Sequence, residues 1–397
     1  MKRKRANIGI AATAFTIVSS ILFFSCAKKD AGGPAFDPKA ASWPIFRGDS
    51  RLSGVAAAGV PDRPALLWSF KTGSWIAASP VIGEGRVYIG SNDGKVYALN
   101  LHDGSKAWEF DTGDDIEASA LLLNGALYVG NLGGDFLCLD AGTGRPRWKQ
   151  KGESSIHGSA NWAVDPESGT PWILVGCYDN KLYCFEAATG TLKWSYETGN
   201  YINGAPATDG RRIVFGGCDE LLHILSVKDG TKEGEVWAGS YIPGSSALVD
   251  SRAYVGHYDN KLVCVDTETK AIVWEYQDRD HPDAFFSSPA VGSDRVLIGS
   301  RDGYLHCVDR TTGKKIWVFQ SRDDIDSSPV IAGDRAVVGS TDGRLYLLDL
   351  KDGREVWSYE IGAPLYGCPA VAGGMIVIGA DDGRVYAFGG SPSKSPM

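Results

Sequence analysis

One position in a sequence unit that recurs eight times carries side chains suited to binding a ligand. It directly follows a constant apolar residue and is filled in turn by Ala77, Glu117, His157, Asn203, Pro243, Phe286, Asp326 and Tyr366. Repeat proteins concentrate diversity at their binding face, while constant positions maintain the fold. We therefore expect a mouth that binds a peptide or a small ligand. The alternative is a surface that varies because nothing constrains it.

The position directly before the constant apolar residue varies as well, through Trp75, Asp115, Ser155, Tyr201, Tyr241, Ala284, Asp324 and Pro364. The carboxylates of Asp115, Glu117, Asp324 and Asp326 could hold a cation. They fall on units two and seven, however, about 135° apart around an eight-fold ring, so a shared metal ion is not expected. The candidate binding residues are Trp75, Asp115, Glu117, His157, Tyr201, Asn203, Tyr241, Phe286, Asp324, Asp326 and Tyr366.

Catalytic motifs are missing from the sequence. It contains no His-x-x-x-His, Cys-x-x-Cys, Gly-x-Ser-x-Gly or phosphate-loop pattern. The histidines are scattered, and those on strands, His223 and His306, stand next to core positions, where a structural role is the usual one. We therefore expect no catalytic residues and no metal site.

The repeated unit that positions these residues is a short series of β-strands. In residues 79–108, two strands flank the turn Asp93-Gly94, and a second turn, Asp103-Gly104, leads to Trp108. An Asp-Gly pair between apolar runs is a strong hairpin signal because glycine adopts a positive φ without strain. The apolar residues that open the eight units are Ile76, Ile116, Ile156, Ile202, Ile242, Phe285, Ile325 and Leu365.

The tryptophan that closes the unit recurs about every 40 residues, at Trp68, Trp108, Trp148, Trp194, Trp274, Trp317 and Trp357. Gly234 takes its place in one degenerate unit. The Trp68 strand has no unit of its own, and the last unit lacks its fourth strand. The sequence therefore predicts an all-β, eight-bladed β-propeller of four-stranded blades over residues 43–389, in which the N-terminal strand closes the last blade. In that fold we expect the varied position at the start of the innermost strand of each blade, around one mouth of the central channel.

The N-terminus has the composition of a targeting segment. Lys2 to Arg5 are basic, residues 8–24 are apolar, and Ser25 precedes Cys26. We expect a signal peptide over residues 1–25, a lipidated tether over 26–42 and a C-terminal tail over 390–397. The alternatives are an uncleaved anchor and an ordinary signal peptide. Residues 22–26 resemble a bacterial lipobox, which implies lipid attachment at Cys26 and an extracytoplasmic location.

The net charge excludes one class of partner. The chain carries a formal charge of −8, and loss of the four basic residues at positions 2–5 would leave −12. An acidic surface without basic clusters argues against binding to nucleic acid. Cys138, Cys184, Cys264 and Cys307 share a repeat position with Ala, Ile and Leu, so we expect buried thiols there and no disulfide scaffold.

The outer-strand motif Ala-x-Asp-x-x-x-Gly-x-x-x-Trp resembles that of the pyrroloquinoline-quinone (PQQ)-type repeat propellers. It stands here as Ala98-x-Asn100 to Gly104 and Trp108, Cys138-x-Asp140 to Gly144 and Trp148, Cys307-x-Asp309 to Gly313 and Trp317, and Leu347-x-Asp349 to Gly353 and Trp357. The resemblance covers about nine-tenths of the chain. It is specific for the fold and says little about function.

The resemblance implies two functional branches. One comprises quinoprotein dehydrogenases, which hold PQQ and calcium on the axis and have an adjacent cysteine pair, which this sequence lacks. The other comprises lipoproteins similar to the propeller subunit of the outer-membrane β-barrel assembly machinery. The second branch implies a non-enzymatic, lipid-anchored scaffold at the periplasmic face of the outer membrane that binds envelope proteins and needs no cofactor. A PQQ-dependent dehydrogenase, or a relic that still binds the cofactor, is the alternative.

Overall fold

A computed structural model describes residues 41–390, and this part of the chain is all β, as predicted. Eight sheets form eight blades, each an antiparallel meander that runs from the central axis outwards. No helix in this part of the chain is long and apolar enough to cross a membrane. Cys26 and most of the residues predicted to form the signal peptide, tether and C-terminal tail lie outside the described residues.

The strands are numbered in chain order, and blades are numbered from the first complete one. Two strands precede blade 1: β1 (Val55–Ala56) and β2 (Ala65–Lys71). Blade 1 comprises β3 (Val81–Gly83), β4 (Arg86–Gly90), β5 (Lys95–Asn100) and β6 (Lys106–Asp111), and blade 2 comprises β7 (Leu121–Leu123), β8 (Ala126–Gly130), β9 (Asp135–Asp140) and β10 (Pro146–Lys151). Blade 3 comprises β11 (Asn161–Val164), β12 (Pro171–Gly176), β13 (Lys181–Glu186) and β14 (Leu192–Glu197), and blade 4 comprises β15 (Ala207–Thr208), β16 (Arg212–Gly216), β17 (Leu221–Ser226) and β18 (Lys232–Trp237).

Blades 5 to 8 continue the pattern, and blade 8 takes its outer strand from β2. Blade 5 comprises β19 (Ala247–Val249), β20 (Arg252–His257), β21 (Lys261–Asp266) and β22 (Ala271–Tyr276), and blade 6 comprises β23 (Ala290–Val291), β24 (Arg295–Gly299), β25 (Tyr304–Asp309) and β26 (Lys315–Gln320). Blade 7 comprises β27 (Val330–Ala332), β28 (Arg335–Gly339), β29 (Arg344–Asp349) and β30 (Glu355–Glu360), and blade 8 comprises β31 (Ala370–Ala372), β32 (Met375–Gly379) and β33 (Arg384–Gly389) with β2.

The ring closes as predicted, because β2 supplies the outer strand of blade 8. It runs antiparallel to β33, and Trp68 stands opposite Ala387. The same register places Trp108 opposite Ala98 in blade 1. The first and last strands of the propeller therefore share one sheet, which leaves no open edge between the ends of the array.

The constant tryptophans pack against glycines of the next blade. A Cβ atom added at Gly144, which has a φ of +73°, would lie 2.7 Å from the Trp108 ring. Position 144 therefore favours glycine for two reasons, because the turn has a positive φ and because the Trp108 ring leaves no room for a Cβ atom. The same contact joins Trp68 to Gly104, Trp148 to Gly190, Trp194 to Gly230, Trp274 to Gly313 and Trp317 to Gly353.

The degenerate unit reverses this contact. Gly234 stands opposite Ile224, in the register that a tryptophan occupies elsewhere. The place of the partner glycine in blade 5 is taken by Lys270, which keeps a positive φ of 62°. Lys270 side-chain carbons would lie 2.8 Å from a Cβ atom at Gly234. A large side chain still packs against a glycine between these two blades, but here blade 4 supplies the glycine and blade 5 supplies the large side chain.

The segment 43–54 lies in the central channel and contacts blade after blade. Its backbone exchanges hydrogen bonds with the innermost strands of blades 1, 2, 4, 5, 6 and 7, and its carbonyl at Ser50 also accepts from the Asn161 side chain of blade 3. The partners are Trp43 with Ile82, Pro44 with Leu122, Ser50 with Thr208, Arg51 with Leu248, Ser53 with Val291 and Gly54 with Ile331. β1 then pairs in parallel with β27. The segment therefore occupies the axis along the innermost strands.

The cysteines of the described region are all free thiols, and those predicted for the core are buried. Cys138, Cys184, Cys264 and Cys307 are fully enclosed, as are Cys177 and Cys368, whereas Cys218 is partly exposed. Burial raises the pKa of the Cys138 thiol to about 11. These thiols therefore fill space in the interior as small apolar groups.

Candidate functional site

The varied residues surround a chamber on the propeller axis. It has a volume of about 220 Å³, and Phe46 from the axial segment lies at its base. Seven of the eight varied residues line it: Ala77, Glu117, His157, Asn203, Pro243, Phe286 and Tyr366. The eighth, Asp326, does not line it. Of the candidate binding residues, Glu117, His157, Asn203, Phe286 and Tyr366 therefore line the chamber, whereas Trp75, Asp115, Tyr201, Tyr241, Asp324 and Asp326 do not.

One detail of that prediction is wrong. The varied position was expected at the start of the innermost strand, but it lies in the connection that leads into that strand. Ala77, for example, precedes β3 by four residues. The reason is that the backbone here bonds to the next blade: the Ser79 N–H donates to Ser119 Oγ at 3.0 Å and is not part of a ladder within blade 1.

A repeated hydrogen bond joins these connections to the hairpin turns between the second and third strands. The donor is the N–H of the residue before the turn aspartate, or before Gly133 in blade 2. The acceptor is the carbonyl of the residue two positions before the varied one, as in Asn92 to Trp75. The other seven bonds are Leu132 to Asp115, Tyr178 to Ser155, Cys218 to Tyr201, Tyr258 to Tyr241, Arg301 to Ala284, Thr341 to Asp324 and Asp381 to Pro364.

These connections and turns together form what we call the mouth face. It consists of residues 72–80, 112–120, 152–160, 198–206, 238–246, 277–289, 321–329 and 361–369, with the turns 91–94, 131–134, 177–180, 217–220, 257–260, 300–303, 340–343 and 380–383. Three rings of varied residues lie on this face, one more than the sequence identified.

Glu117, His157 and Ser155 are hydrogen-bonded in series at the edge of the chamber. Glu117 Oε2 lies 3.0 Å from His157 Nδ1, and Ser155 Oγ lies 3.0 Å from His157 Nε2. The hydrogen bond from His157 lowers the pKa of the Glu117 carboxyl. An ionised carboxylate can only accept, so His157 Nδ1 donates to Glu117, while Nε2 is hydrogen-bonded to the Ser155 hydroxyl. The series could relay a proton or bind polar groups of a ligand.

Aromatic rings extend this cluster towards blade 4. The Tyr178 ring lies 4.1 Å from that of His157 and 4.9 Å from that of Tyr201, nearly parallel to the latter. The Tyr178 hydroxyl donates to Asn203 Oδ1, and Asn203 Nδ2 donates to Cys218 Sγ at 3.0 Å. Burial raises the pKa of Tyr178 to about 12. Varied residues of neighbouring blades are therefore joined by ring stacking and by hydrogen bonds.

A second cluster lies on the side of blades 6 and 7. The Arg301 guanidinium stacks on Phe286 at 3.8 Å and forms a two-point ion pair with Asp326, both N–O distances being 3.0 Å. Such a planar, bidentate contact is one that lysine could not reproduce. Asp326 is therefore paired with Arg301 and does not line the chamber.

The predicted acidic residues do not form a metal site together. Within residues 41–390 no group of three or more His, Cys, Asp or Glu side chains could hold a metal ion. Burial, and then the charges of Asp326 and Asp323, raise the pKa of Asp324. Asp115 lies apart from these residues, in the connection to blade 2. The negative charge is therefore spread around the face.

Exposed aromatic residues also cluster on the mouth face. Trp75, Tyr201, Tyr241, Tyr258 and Tyr366 are each 38–48% exposed. Acidic residues accompany them: Asp93, Asp114, Asp115, Glu117, Glu153, Asp179, Asp219, Glu220, Asp259, Asp278, Asp280, Asp283, Asp302, Asp323, Asp324, Asp326, Asp342, Asp381 and Asp382. The basic residues there are Arg279, Arg301 and Arg322. Turns on the opposite face mix both signs, as at Lys228-Asp229 and Lys351-Asp352.

Tyr178 and Arg301 were missed by the sequence analysis although they organise the two clusters. Both directly precede a turn aspartate. A signal was present, because the residues at that position are Asn92, Leu132, Tyr178, Cys218, Tyr258, Arg301, Thr341 and Asp381, as diverse as the first varied ring. Alignment of the eight turns on this position, which is aspartate in seven of them and Gly133 in blade 2, would have identified them.

Comparison with known proteins identifies the family. The sequence matches the family described as outer membrane protein assembly factor BamB over residues 61–161, 138–317 and 301–391, a span that includes all eight blades. The chain belongs to this family. The predicted resemblance to a BamB-like PQQ-repeat propeller is thus confirmed. No curated protein matches the sequence.

Solved structures share the fold of this chain at low sequence identity. BamB from Moraxella catarrhalis is 20% identical, with a TM-score of 0.70 over 84% of this chain and 99% of its own. The computationally designed protein Ika8 is 16% identical, with a TM-score of 0.71 over 81% and 99% of the two chains. A europium-containing methanol dehydrogenase is 14% identical, with a TM-score of 0.71 over 89% and 98%. At such identities the likeness shows the fold alone.

The chamber does not fit a quinone with calcium, the group held by the dehydrogenases. The acid and the amide that line the chamber, Glu117 and Asn203, are already bonded to His157 and to Tyr178 and Cys218. The remaining wall consists largely of serine and glycine. A calcium site requires several oxygen ligands converging on one point, and these two side chains approach from blades 2 and 4 with other partners.

Proposed function

We propose that this protein is a non-catalytic, lipid-anchored scaffold of the bacterial envelope that binds a protein partner through its mouth face, in the assembly of outer-membrane proteins. Membership of the BamB family supports the setting. The observation that carries the proposal is the concentration of exposed aromatic residues on one face of a ring whose channel is occupied below the chamber by residues 43–54. A partner would dock on that face and would not thread through the ring.

The chemistry of the mouth face favours a basic partner. Tyrosine and tryptophan are enriched in interfaces because they bury a large area at a small entropic cost, and Tyr201, Tyr241 and Trp75 are half-exposed here. The surrounding carboxylates would accelerate association with a positively charged surface and would disfavour acidic competitors. We therefore expect binding that weakens as the salt concentration rises.

The envelope location rests on the N-terminal sequence and on the family. Cys26 would carry the lipid, and the acidic propeller would lie outside the cytoplasm. Globomycin, which inhibits cleavage of lipoprotein signal peptides, should cause an unprocessed precursor to accumulate in cells, and a Cys26→Ala variant should lose the lipid. A Cys26→Ala protein that still fractionates with outer membranes as the wild type does would refute the anchor.

The experiment that tests the proposed function is crosslinking in cells followed by purification of the full-length protein. The proposal expects components of the barrel-assembly complex to be recovered in stoichiometric amounts. Recovery as a lone monomer would contradict it. The purified protein should show neither dye-linked alcohol oxidation with added quinone and calcium nor ester hydrolysis at Ser155; either activity would overturn the non-catalytic assignment.

A further inference from the structure

A ring of hydroxyl groups lies in the wall of the chamber, below the mouth. Its members stand three residues after the constant apolar residue of each unit. They are Ser79, Ser119, Ser159, Ala205, Ser245, Ser288, Ser328 and Cys368. All eight line the chamber. Six blades therefore place a serine at the same height around the axis.

Each of these serine hydroxyls accepts a hydrogen bond from the preceding blade. The bonds run from the N–H of Ser79 to Ser119 (3.0 Å), Ser119 to Ser159 (3.0 Å), Ala205 to Ser245 (2.7 Å), Ser245 to Ser288 (2.9 Å), Ser288 to Ser328 (2.9 Å) and Cys368 to Ser79 (2.7 Å). None of the six hydroxyls donates to another group of residues 41–390. A serine has one proton to give, so six O–H donors around the axis lack a protein acceptor.

A buried cation adjoins this ring. Arg47 belongs to the axial segment and is fully buried. Its Nη1 donates to Cys368 Sγ at 3.1 Å and its Nη2 to the Pro289 carbonyl at 3.0 Å, while Nε has no protein acceptor. No Asp or Glu within residues 41–390 forms an ion pair with Arg47. Since Cys368 is itself a member of the ring, the guanidinium lies directly against the chamber wall.

An arginine in this position is a charge that needs compensation. The guanidinium does not lose its proton in proteins. A fully buried charge without a counter-charge is strongly unfavourable, and a thiol and a carbonyl are modest acceptors for it. Arg47 does not itself line the chamber, but its guanidinium is bonded to Cys368, which does. The chamber is therefore the nearby space in which a counter-charge could lie, and the hydroxyl ring offers the donors that an anion requires.

We propose that the chamber binds a small monovalent anion on the propeller axis, held by the serine hydroxyls and balanced by Arg47. The ligand is a halide or a carboxylate group, because both accept several O–H donors at once. Glu117 also lines the chamber, with its carboxylate bonded to His157. Together with the other carboxylates of the mouth face it repels multivalent anions more strongly than monovalent ones. This site is independent of partner binding and of the proposed function.

Bromide is the direct probe of this site, because its anomalous scattering distinguishes it from water. Crystals of the full-length protein grown in sodium bromide should show an anomalous peak on the axis, within hydrogen-bonding distance of at least three serine Oγ atoms. Acetate soaks then test the carboxylate source. Occupation of the chamber by water alone under both conditions, or peaks at the surface only (an adventitious ion only), would overturn the proposal.

A solution experiment tests the same site with matched variants. The midpoint of thermal unfolding should rise with bromide or acetate to a plateau, since a ligand that binds only the folded state stabilises it. Ser119→Ala or Ser245→Ala should weaken this effect about two- to tenfold in apparent affinity, the value of one hydrogen bond. Ala205→Ser, which adds the missing hydroxyl, should strengthen it.

The control is Ser105→Ala, because Ser105 is exposed on the opposite face and bonds to Asp103. It should leave the anion dependence unchanged. An anion effect that is equal in Ser119→Ala, Ala205→Ser and the control would show general salt action and would refute the site. Arg47→Gln should abolish the effect, but the serine variants decide the question if that protein does not fold.

Discussion

His157 Nδ1 lies 3.0 Å from Glu117 Oε2, across the boundary between blades 2 and 3. Both residues occupy the varied position, one repeat apart. Tyr178 and Asn203 continue the contacts into blade 4. Residues that varied without constraint would not be expected to form matched hydrogen bonds from blade to blade. These contacts favour a mouth built for binding over the alternative of an unconstrained surface.

Replacement of Glu117 by glutamine should change how stability depends on pH. The bond from His157 lowers the pKa of Glu117 in the folded protein. A lowered carboxyl pKa stabilises the fold above the unfolded pKa, near 4.5, and this contribution is lost as the pH falls through the folded value. Urea denaturation should therefore show Glu117→Gln to be less stable by up to about 1 kcal/mol at pH 6–7, with the difference vanishing towards pH 3.

Glu153→Gln is the control for that experiment. Glu153 lies on the same face, is mostly exposed and is paired only loosely with Lys181, at 3.4 Å. It should cost less than Glu117→Gln at every pH. A pH-independent difference for Glu117→Gln would contradict the ionic role of the pair.

Removal of an inter-blade tryptophan should destabilise the ring. Trp317 is 8% exposed, lies on Gly353 and donates Nε1–H to the Leu350 carbonyl at 3.1 Å. Trp317→Ala should cost about 3–5 kcal/mol in the free energy of unfolding, through lost burial and the cavity that remains. Trp237 is the matched control, because it is 64% exposed; Trp237→Ala should change stability by about 0.5 kcal/mol or less. Equal losses would refute the packing role.

The reversed contact between blades 4 and 5 predicts strong coupling. Gly234→Trp alone should destabilise the protein, because its ring would overlap Lys270. Lys270→Gly alone removes the packing of the Lys270 side chain on Gly234, but it also relieves backbone strain, because glycine adopts the positive φ at this position more easily than lysine. The double variant recreates the contact of the other blades, so chemical denaturation should reveal a favourable interaction energy of about 0.5–3 kcal/mol. Strictly additive effects would contradict this interpretation.

The fold was predictable from the sequence because its signals repeat. Asp-Gly turns, tryptophans and apolar residues recur at one period, and the unpaired strand around Trp68 could complete only one unit. The varied position was predictable for the converse reason, as the place where the copies disagree. The path of residues 43–54 was not predictable, because most of its hydrogen bonds to the blades join backbone groups, which every residue type has.

The two clusters of the mouth were not predictable for a different reason. Glu117 and His157 are 40 residues apart and meet only because neighbouring repeats stand side by side. Asp326 is not a free carboxylate because it forms an ion pair with Arg301, and the spacing of the two residues in the sequence does not reveal that contact. Arg47 has an ordinary surface-type sequence context and becomes a buried cation only because its segment lies on the axis.

The central claim is that the mouth face binds a protein partner, and site-specific photo-crosslinking in cells tests it most directly. A photoreactive phenylalanine analogue would replace Tyr241 on the mouth face and, in the control, Leu192 at the start of the outer strand of blade 3, beside a turn of the opposite face. Tyr241 and Leu192 are 47% and 51% exposed, so both positions should tolerate the analogue.

The account predicts that the analogue at position 241 crosslinks to one envelope protein, that the yield falls as salt rises, and that the analogue at position 192 does not crosslink. Added charge reversal by Asp323→Lys and Asp324→Lys should reduce the yield at position 241 by about tenfold or more. Crosslinks to the same partner at position 192 but not at position 241, or at neither position, would contradict the account.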